Sequence, residues 1–250
     1  MIALENICVT FNKNTPDQVK AMQHVTVTIN AGEFVTIIGH NGSGKSTFLN
    51  VIAGSLQPDS GNILIENTNV NRQAEHERSR LIARLFQNPT TGTISDLSIV
   101  ENFRIAYLRN NPRTLFNRIN SDFRKQVQES VAKIEMGLEA KLDSLVGNLS
   151  GGQRQALSLL MAAQSNCSIL MLDEPTAALD PKSATLVMHL SKQLATEKKL
   201  CVLYITHSMR DAIQYGNRLL QFKDGMINRD FMTDEKRILK PQDLMAWFDE

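Results

Sequence analysis

The first third of the chain alternates short apolar segments with polar turns. The apolar segments at residues 3–11, 25–29, 34–38 and 63–65 are rich in β-branched side chains. Such side chains fit the pleated, half-buried surface of a sheet, and polar clusters typically separate one strand from the next. The pattern therefore predicts β-strands throughout the N-terminal part of the protein.

A glycine-rich loop at residues 39–47 follows the third predicted strand. Beyond it, apolar side chains recur at helical spacing until Gly54: Phe48, Leu49, Ile52 and Ala53. This spacing is typical of a helix packed on one face, and glycine is common just past a helix end. The loop is thus expected to join a buried strand to a helix.

Two later segments, residues 169–172 and 201–205, are short and continuously apolar. Strands covered on both faces of a parallel sheet have this composition. Between them, Asp180 can cap a helix that starts at Pro181, and its apolar stripe consists of Ala184, Val187, Leu190 and Leu194. Strand, helix and strand in this order predict a right-handed βαβ unit.

The middle of the chain, residues 88–163, has a different pattern. Strand signals fade there, and helical spacing predicts helices at residues 99–109 and 123–136. We interpret this part as a helical subdomain inserted into an α/β core.

A cluster of charged residues precedes the helical part. Four arginines alternate with two acids over a short stretch: Arg72, Arg78, Arg80 and Arg84 with Glu75 and Glu77. Mixed charges of this kind are typical of a solvent-exposed helix face, which is our interpretation, with a partner contact as the alternative.

Composition narrows the class of protein. The 250 residues are 42% hydrophobic and 21% charged, which is ordinary for a globular chain of one large or two small domains. The formal net charge of +1 provides no overall attraction to nucleic acid. No nucleic-acid partner is therefore expected.

The cysteines and the apolar segments bear on location. Cys8, Cys167 and Cys201 are far apart in apolar surroundings, so we expect reduced thiols that pack as small hydrophobic side chains. The N-terminus lacks a signal-peptide pattern, and no apolar segment approaches the roughly 18 residues needed to cross a bilayer. These features favour a cytosolic protein that forms no pore of its own.

The glycine-rich loop carries the most specific chemistry. Gly39, Gly44, Lys45 and Ser46 match a phosphate-binding loop. Glycines let backbone N–H groups surround a polyphosphate, Lys45 neutralises its charge, and the Ser46 hydroxyl can bind Mg²⁺. An accidental match in a glycine-rich turn is the alternative, and the strand before and helix after make it less favourable.

Two acids end the apolar segment at residues 169–172. Because ligands of open α/β sheets bind at the carboxyl ends of the strands, Asp173 and Glu174 are expected beside the phosphate loop. Asp173 can hold Mg²⁺ through water, and Glu174 can act as general base toward an attacking water. The alternative is an acidic cap for the segment after Pro175.

The string Leu149-Ser150-Gly151-Gly152-Gln153, at the start of a predicted helix, resembles the signature sequence of ABC-type ATPases. The resemblance spans nearly the whole chain. It implies an α/β fold with a P-loop NTPase core, a mostly parallel sheet, an N-terminal antiparallel β subdomain and an inserted α-helical subdomain. Residues 1–250 would form one ABC ATP-binding domain, with residues 88–163 as the helical subdomain.

Other landmarks of the family fall in the expected order. Phe11 is similar to the aromatic that stacks on adenine, with core packing as its alternative. Gln87 resembles the glutamine that reaches Mg²⁺ and the attacking water, with a merely exposed side chain as its alternative. Asp180 lies in a segment similar to the family's D-loop, and His207 resembles the switch histidine that contacts the γ-phosphate.

The resemblance assigns residues to ATP and Mg²⁺. Catalysis would involve Glu174, His207 and Lys45, and the metal would be held by Ser46, Gln87 and Asp173. The ATP-binding residues of the same chain would be Phe11, Gly39, His40, Asn41, Gly42, Ser43, Gly44, Lys45, Ser46 and Thr47. A second ATPase subunit would bind the same ATP in trans through Ser150, Gly151, Gly152, Gln153 and Asp180.

The resemblance also implies partners. The second ATPase subunit is expected to be another copy of this chain, with a different ATPase chain still open. Both would dock on transmembrane permease subunits at the cytoplasmic face of the inner membrane, with a solute-binding protein acting on the permease. Residues 87–93 are similar to a subgroup that takes up amino acids.

Two other functions remain open from the sequence. One is a member of the family that moves no solute, and the other is an ATP sensor that dimerises with little turnover. A sensor predicts loss of the base or of the switch residue, yet Glu174 and His207 are both present.

Overall fold

The computed structural model describes residues 1–108, 119–164 and 167–249. Within these ranges the strands are β1 (Ile2–Phe11), β2 (Val19–Ile29), β3 (Phe34–Gly39), β4 (Ser60–Ile65), β5 (Thr68–Asn69), β6 (Ile82–Leu85), β7 (Ile169–Asp173), β8 (Cys201–Ile205), β9 (Arg218–Lys223) and β10 (Met226–Phe231). The α-helices are α1 (Lys45–Ala53), α2 (Glu75–Arg78), α3 (Ile99–Leu108), α4 (Ser121–Ala132), α5 (Gly151–Ala163), α6 (Pro181–Lys198), α7 (Met209–Gln214), α8 (Thr233–Ile238) and α9 (Pro241–Asp249).

The larger sheet is mostly parallel, as expected. Its strand order among the described residues is β10-β9-β3-β8-β7-β6, and only β9 and β10 pair antiparallel. Strands β3 and β8 are buried along their whole length, which explains their continuous apolar sequence. The glycine-rich loop leaves the carboxyl end of β3, in the middle of this sheet.

The N-terminal strands form a separate antiparallel sheet in the order β2-β1-β4-β5. Strand β2 begins at Val19, earlier than the predicted start at residue 25. Its first residues pair with the end of β1, where Phe11 lies opposite Val19. The sequence pattern missed this part because the polar residues Lys20, Gln23 and His24 interrupt it, although Ala21 and Met22 are buried.

Two hydrophobic cores cover the faces of the larger sheet. Alternate residues of β7 face opposite sides, so that Met171 belongs to one core and Leu170 to the other. The first core lies between the sheet, α1 and the antiparallel sheet, and Phe48 is fully buried in it. The second lies against helices α3 to α6, and it includes the α6 residues Val187, Leu190 and Leu194.

The middle of the chain is helical, although its helix bounds differ from the predictions. Helix α4 begins at residue 121, because the Asn120 side chain accepts a hydrogen bond from Phe123 N, and it ends at residue 132 rather than 136. Glu135, with φ 57°, has left the helical conformation. Helix α3 is described to Leu108, and Arg109 lies outside the described residues.

A hairpin and three helices in the C-terminal part, α7 to α9, were not predicted. Strands β9 and β10 are joined through Asp224 and Gly225, both with positive φ (48° and 76°). An Asp-Gly pair between two strands is a strong hairpin signal that would have identified it. Helix α9 packs behind the hairpin through the fully buried Leu244.

The predicted solvated arginine face is wrong for two of its members. Arg72 and Arg80 are exposed, but Arg78 is fully buried and donates to the carbonyl oxygens of Val51, Ile52 and Val70. Arg84 is not on a helix at all, since it lies in β6. Helix α2 ends at residue 78, so the charged segment does not form the continuous helix that the interpretation assumed.

The three cysteines differ in burial. Cys167 and Cys201 are buried, and burial raises the pKa of the Cys201 thiol to about 12, whereas Cys8 is only half-buried. Across the described residues, no helix combines the length and apolar character that crossing a membrane requires.

Candidate functional site

The phosphate loop (residues 39–47) requires glycine at specific positions. Gly39 and Gly44 have φ of 152° and 106°, which other residues rarely adopt. A Cβ at Gly39 would overlap the carbonyl oxygen of Phe222, and one at Gly44 would overlap that of Ala21. The backbone of the loop therefore packs against β9 and β2, and its conformation depends on strands remote in sequence.

Lys45 is the first residue of α1 and is 6% exposed. Its Nζ donates to the carbonyl oxygens of Gly39 (2.8 Å) and His40 (2.7 Å), so the side chain curls back over the loop. Burial lowers the pKa of Lys45, while the negative charges of Glu174 and Asp173 oppose that shift. The ammonium group thus lies over the loop, within the field of Asp173 at the end of β7 and of Glu174 directly after it.

Glu174 follows β7 and has an unusual backbone conformation, with φ of 47°. Its amide donates to Ile205 O of the neighbouring β8 at 3.1 Å. Its Oε1 lies 2.8 Å from Nε2 of His207, which follows the same strand β8. Left-handed backbone at a residue other than glycine costs energy, so it persists only where surrounding contacts hold it. Here the hydrogen bond to β8 holds Glu174 beside His207.

A cleft of about 290 Å³ brings together predicted residues from separate parts of the chain. It is lined by Phe11, Val19, Ala21, Asn41, Gly42, Gly44, Lys45, Ser46, Thr47, Glu174 and His207. Phe11 is 40% exposed at its edge, which excludes the alternative of core packing. Phe11, the phosphate loop, Glu174 and His207 therefore share one cavity.

The residues of the loop fit a polyphosphate. Gly39 and Gly44 hold the loop in a backbone conformation that other residues rarely adopt, and the Lys45 ammonium group lies over the loop. The Ser43 hydroxyl is buried and has no hydrogen-bond partner within the described residues. A buried polar group of this kind calls for a further partner, and a phosphate oxygen has the right chemistry.

Other predicted residues lie outside the cleft. His40 packs on α9, where its ring is 4.7 Å from that of Phe248 and its Nε2 is 3.1 Å from Phe248 O. Gln87 is exposed just after β6. Asp173 ends β7 and forms an ion pair with Arg84.

The predicted signature residues form a helix start on another part of the surface. The Ser150 hydroxyl accepts from Gln153 N (3.2 Å), and Ser150 N donates to the Gln153 side chain (3.0 Å), which is a capping box for α5. Gly152 packs so closely on Ser183 that a Cβ would overlap it. Asp180 caps α6 by accepting from Lys182 N and Ser183 N. These two helix starts are neighbours.

The sequence did not point to Gln155, and it placed Arg84 on a solvent-exposed charged face rather than beside the site. Gln155 of α5 is fully buried and donates to Phe86 O (2.8 Å) and Pro175 O (3.0 Å), so it ties the signature helix to both strand ends beside the site. Arg84 contacts Asp173. A glutamine inside an apolar stripe and an arginine inside a strand are signals that could have singled them out.

The comparison with protein families agrees with this site. A family model described as ABC transporter matches residues 22–177. This range is more than half of the chain and includes the phosphate loop, the signature residues, Asp173 and Glu174.

Curated relatives include ATP-binding proteins of transport systems. The tyrosine transport ATP-binding protein of Clostridioides difficile (strain R20291) is 34% identical over 253 residues, covering 100% of this chain and 99% of the relative. A thiamine import ATP-binding protein of Salmonella choleraesuis (strain SC-B67) is 33% identical over 210 residues, covering 84% of each.

Solved structures support the same assignment. A dimeric ATP-binding cassette in a post-hydrolysis state with ADP and Pi is 30% identical, with a TM-score of 0.78, and the match covers 93% of this chain and 99% of that one. Family model, relatives and fold agree with a cleft that joins a phosphate loop to a candidate base. The chain therefore belongs to the ABC transporter family and is one of its ATP-binding, ATP-hydrolysing proteins.

Proposed function

We propose that this chain is the ATPase subunit of an importer, and that two copies enclose ATP between them. The observation that carries the proposal is the division of the predicted site. The cleft contains the phosphate loop, Glu174 and His207, whereas Ser150 and Asp180 are exposed elsewhere. A second copy that presents its Ser150 surface to the cleft would complete the site.

Within one copy, the residues of the cleft can bind and polarise the reactants. The Phe11 ring stacks on the adenine, and the loop N–H groups with Lys45 hold the phosphates. The Glu174 carboxylate accepts a proton from the attacking water, and His207, 2.8 Å from it, orients the carboxylate and contacts the γ-phosphate. Because the developing charge lies on phosphate oxygens, the main contribution of these groups is positioning and electrostatic stabilisation.

Ser46, Asp173 and Gln87 are the residues that would hold Mg²⁺. A hydroxyl, a carboxylate and an amide provide the oxygen ligands that this cation prefers. When bound, Mg²⁺ neutralises charge on the phosphates and helps align them for in-line attack.

The second copy contributes the start of α5. The Ser150 hydroxyl and the N–H groups of Gly151 and Gly152, at the start of a 13-residue helix, form a favourable seat for an anion, and the Gln153 side chain completes the cap. Asp180 lies next to it. We further propose that residues 1–250 act as one ATP-binding domain, in which residues 88–163 are the helical subdomain that presents Ser150.

A groove beside Gln87 supports docking on a permease. Its volume is about 390 Å³, and it lies between β6, α3 and α5. The exposed apolar residues Ile94 and Ile105, at 45% and 46%, border it. A helix from a transmembrane permease subunit would cover these side chains and hold the chain peripherally at the cytoplasmic face of the inner membrane.

The names of two relatives support a proposal for the direction of transport and the cargo class. Their names specify tyrosine transport and thiamine import. We propose uptake of an amino acid through the permease, with a solute-binding protein delivering it. Cargo selection would belong to those partners, since the cleft of this chain is matched to a nucleotide.

A substitution of the base tests the proposal. Glu174→Gln keeps the size of the side chain and its hydrogen bonds but cannot accept the proton, so phosphate release should stop while ATP-bound dimers accumulate on size exclusion. Glu129→Gln, an exposed residue of α4, is the matched control and should hydrolyse ATP at the wild-type rate. An unchanged rate in Glu174→Gln would reject Glu174 as the base.

The trans arrangement has its own test. Ser150→Arg places a bulky cation at the proposed contact between subunits, so it should give monomers that still bind ATP. A persistent ATP-dependent dimer in this variant would contradict the contribution of Ser150 to a neighbouring site.

A further inference from the structure

Arg84 occupies an unusual place for an arginine. It lies in β6, beside Met171 of β7, and its side chain is only 15% exposed. Residues two apart in a strand share a face, so Arg84 lies on the same face of the sheet as Ile82, which packs with α1. A guanidinium group in such a place needs specific partners, because burying a charge is costly.

The partners of Arg84 belong to the nucleotide site. Its Nη2 donates to Asp173 Oδ2 at 3.2 Å, and its Nη1 donates to Asn50 Oδ1 at 2.9 Å. The guanidinium carbon lies 4.8 Å from the centre of the Phe86 ring, directly before Gln87. One side chain is thus held between the helix of the phosphate loop, the acid of β7 and the strand that leads to Gln87.

The charges around Asp173 determine how strongly its carboxylate can attract a metal ion. Asp173 is 20% exposed, and the positive groups near it are Arg84 and, less directly, Lys45, while Glu174 is the neighbouring negative group. A carboxylate paired with a guanidinium offers less negative potential to a metal ion, and a positive charge nearby repels a divalent cation.

We propose that Arg84 is a positioning residue for the metal-binding carboxylate, and that it competes with the divalent cation for Asp173. This inference rests on the proposed role of Asp173 in holding Mg²⁺. The ion pair fixes the Asp173 side chain against β6. It also raises the Mg²⁺ concentration that is needed for half-saturation of the metal-dependent nucleotide binding.

The test separates the charge of Arg84 from its hydrogen bonds. Arg84→Gln keeps donors without the charge, and Arg84→Lys keeps the charge. The affinity of a fluorescent ADP is measured in EDTA and across an MgCl₂ titration. We expect Arg84→Gln to reach half-saturation at about tenfold less Mg²⁺, Arg84→Lys to match the wild type, and the affinity in EDTA to stay unchanged in both.

A double variant tests whether Arg84 acts through Asp173. In Asp173→Asn, which removes the carboxylate charge, adding Arg84→Gln should no longer lower the Mg²⁺ requirement. If Arg84→Gln does not fold, as judged by its thermal transition, Arg84→Met provides the neutral side chain for the same titration.

Each outcome has one meaning. An unchanged or higher Mg²⁺ requirement in the neutral variant would overturn the competition, and so would a lowered requirement that persists in Asp173→Asn. If the wild type binds no ADP at any Mg²⁺ concentration, the proposed function fails. If the wild type binds it in a metal-dependent manner and the neutral variant behaves identically, only the role of Arg84 fails.

Discussion

The two halves of the predicted ATP site are built by different means. The phosphate loop at residues 39–47 is clamped by contacts with Phe222 of β9 and Ala21 of β2, and both are far away in the sequence. The signature segment at residues 149–153 is fixed by a capping box between Ser150 and Gln153, only three residues apart. The first half therefore depends on the whole sheet, and the second on local helix geometry.

One buried side chain joins the two halves. Gln155, on the same helix as Ser150, donates to the carbonyl oxygens of Phe86 and Pro175. These lie just before Gln87 and just after Glu174. Hydrogen bonds of Gln155 therefore connect the signature helix to the segments that carry Gln87 and Glu174.

The largest effect is expected in the phosphate loop. Lys45→Ala removes the ammonium group that lies over the loop, so ATP affinity should fall by at least about 100-fold, close to 3 kcal/mol, because a charge-assisted contact with the phosphates is lost. Isothermal titration with ATP measures it. Lys182→Ala, an exposed lysine of α6, is the control and should bind ATP normally. Wild-type affinity in Lys45→Ala would reject the loop as the phosphate site.

The next effect concerns the support of the loop helix. Arg78→Ala removes the donors to the carbonyl oxygens of Val51 and Ile52 at the end of α1 and leaves a cavity, which should lower the free energy of unfolding by about 3 kcal/mol. Urea unfolding measures this change.

Arg80 provides the matched control for this substitution, since it is exposed and only two residues away. Arg80→Ala should change the unfolding free energy by less than about 0.5 kcal/mol. Equal losses in the two variants would show that the buried contacts of Arg78 do not stabilise α1.

The features that could be predicted from the sequence are those with local signals. The strand, loop and helix around Lys45, the cap at Asp180 and the helix start at Ser150 were predicted because their signals lie in residues close together in the chain, even where remote residues such as Phe222 fix the final conformation. The mostly parallel sheet was also predicted, since continuous apolar strands alternating with helices leave few other arrangements. The Asp-Gly hairpin signal at residues 224–225 was local too, and was overlooked.

The contacts that the sequence did not predict are long-range ones. Arg78 and Arg84 have the composition of an exposed charged segment, and only the approach of α1 and β7 turns them into buried partners of carbonyl and carboxylate oxygens. The end of α4 at residue 132 was missed for a related reason, because the apolar Ile134 continues the helical pattern while packing from a non-helical segment.

The smallest effect is expected in the signature segment. Ser150→Ala removes the hydroxyl that accepts from Gln153 N, so the unfolding free energy should fall by about 1 kcal/mol, the usual cost of losing a helix cap. Because this contact is local and lies outside the cleft, ATP affinity of the monomer should remain unchanged, in contrast to Lys45→Ala. Ser150→Thr keeps the acceptor and should retain wild-type stability. A loss of monomer ATP affinity in Ser150→Ala would mean that the two halves are coupled within one copy, with Gln155 as the route between them.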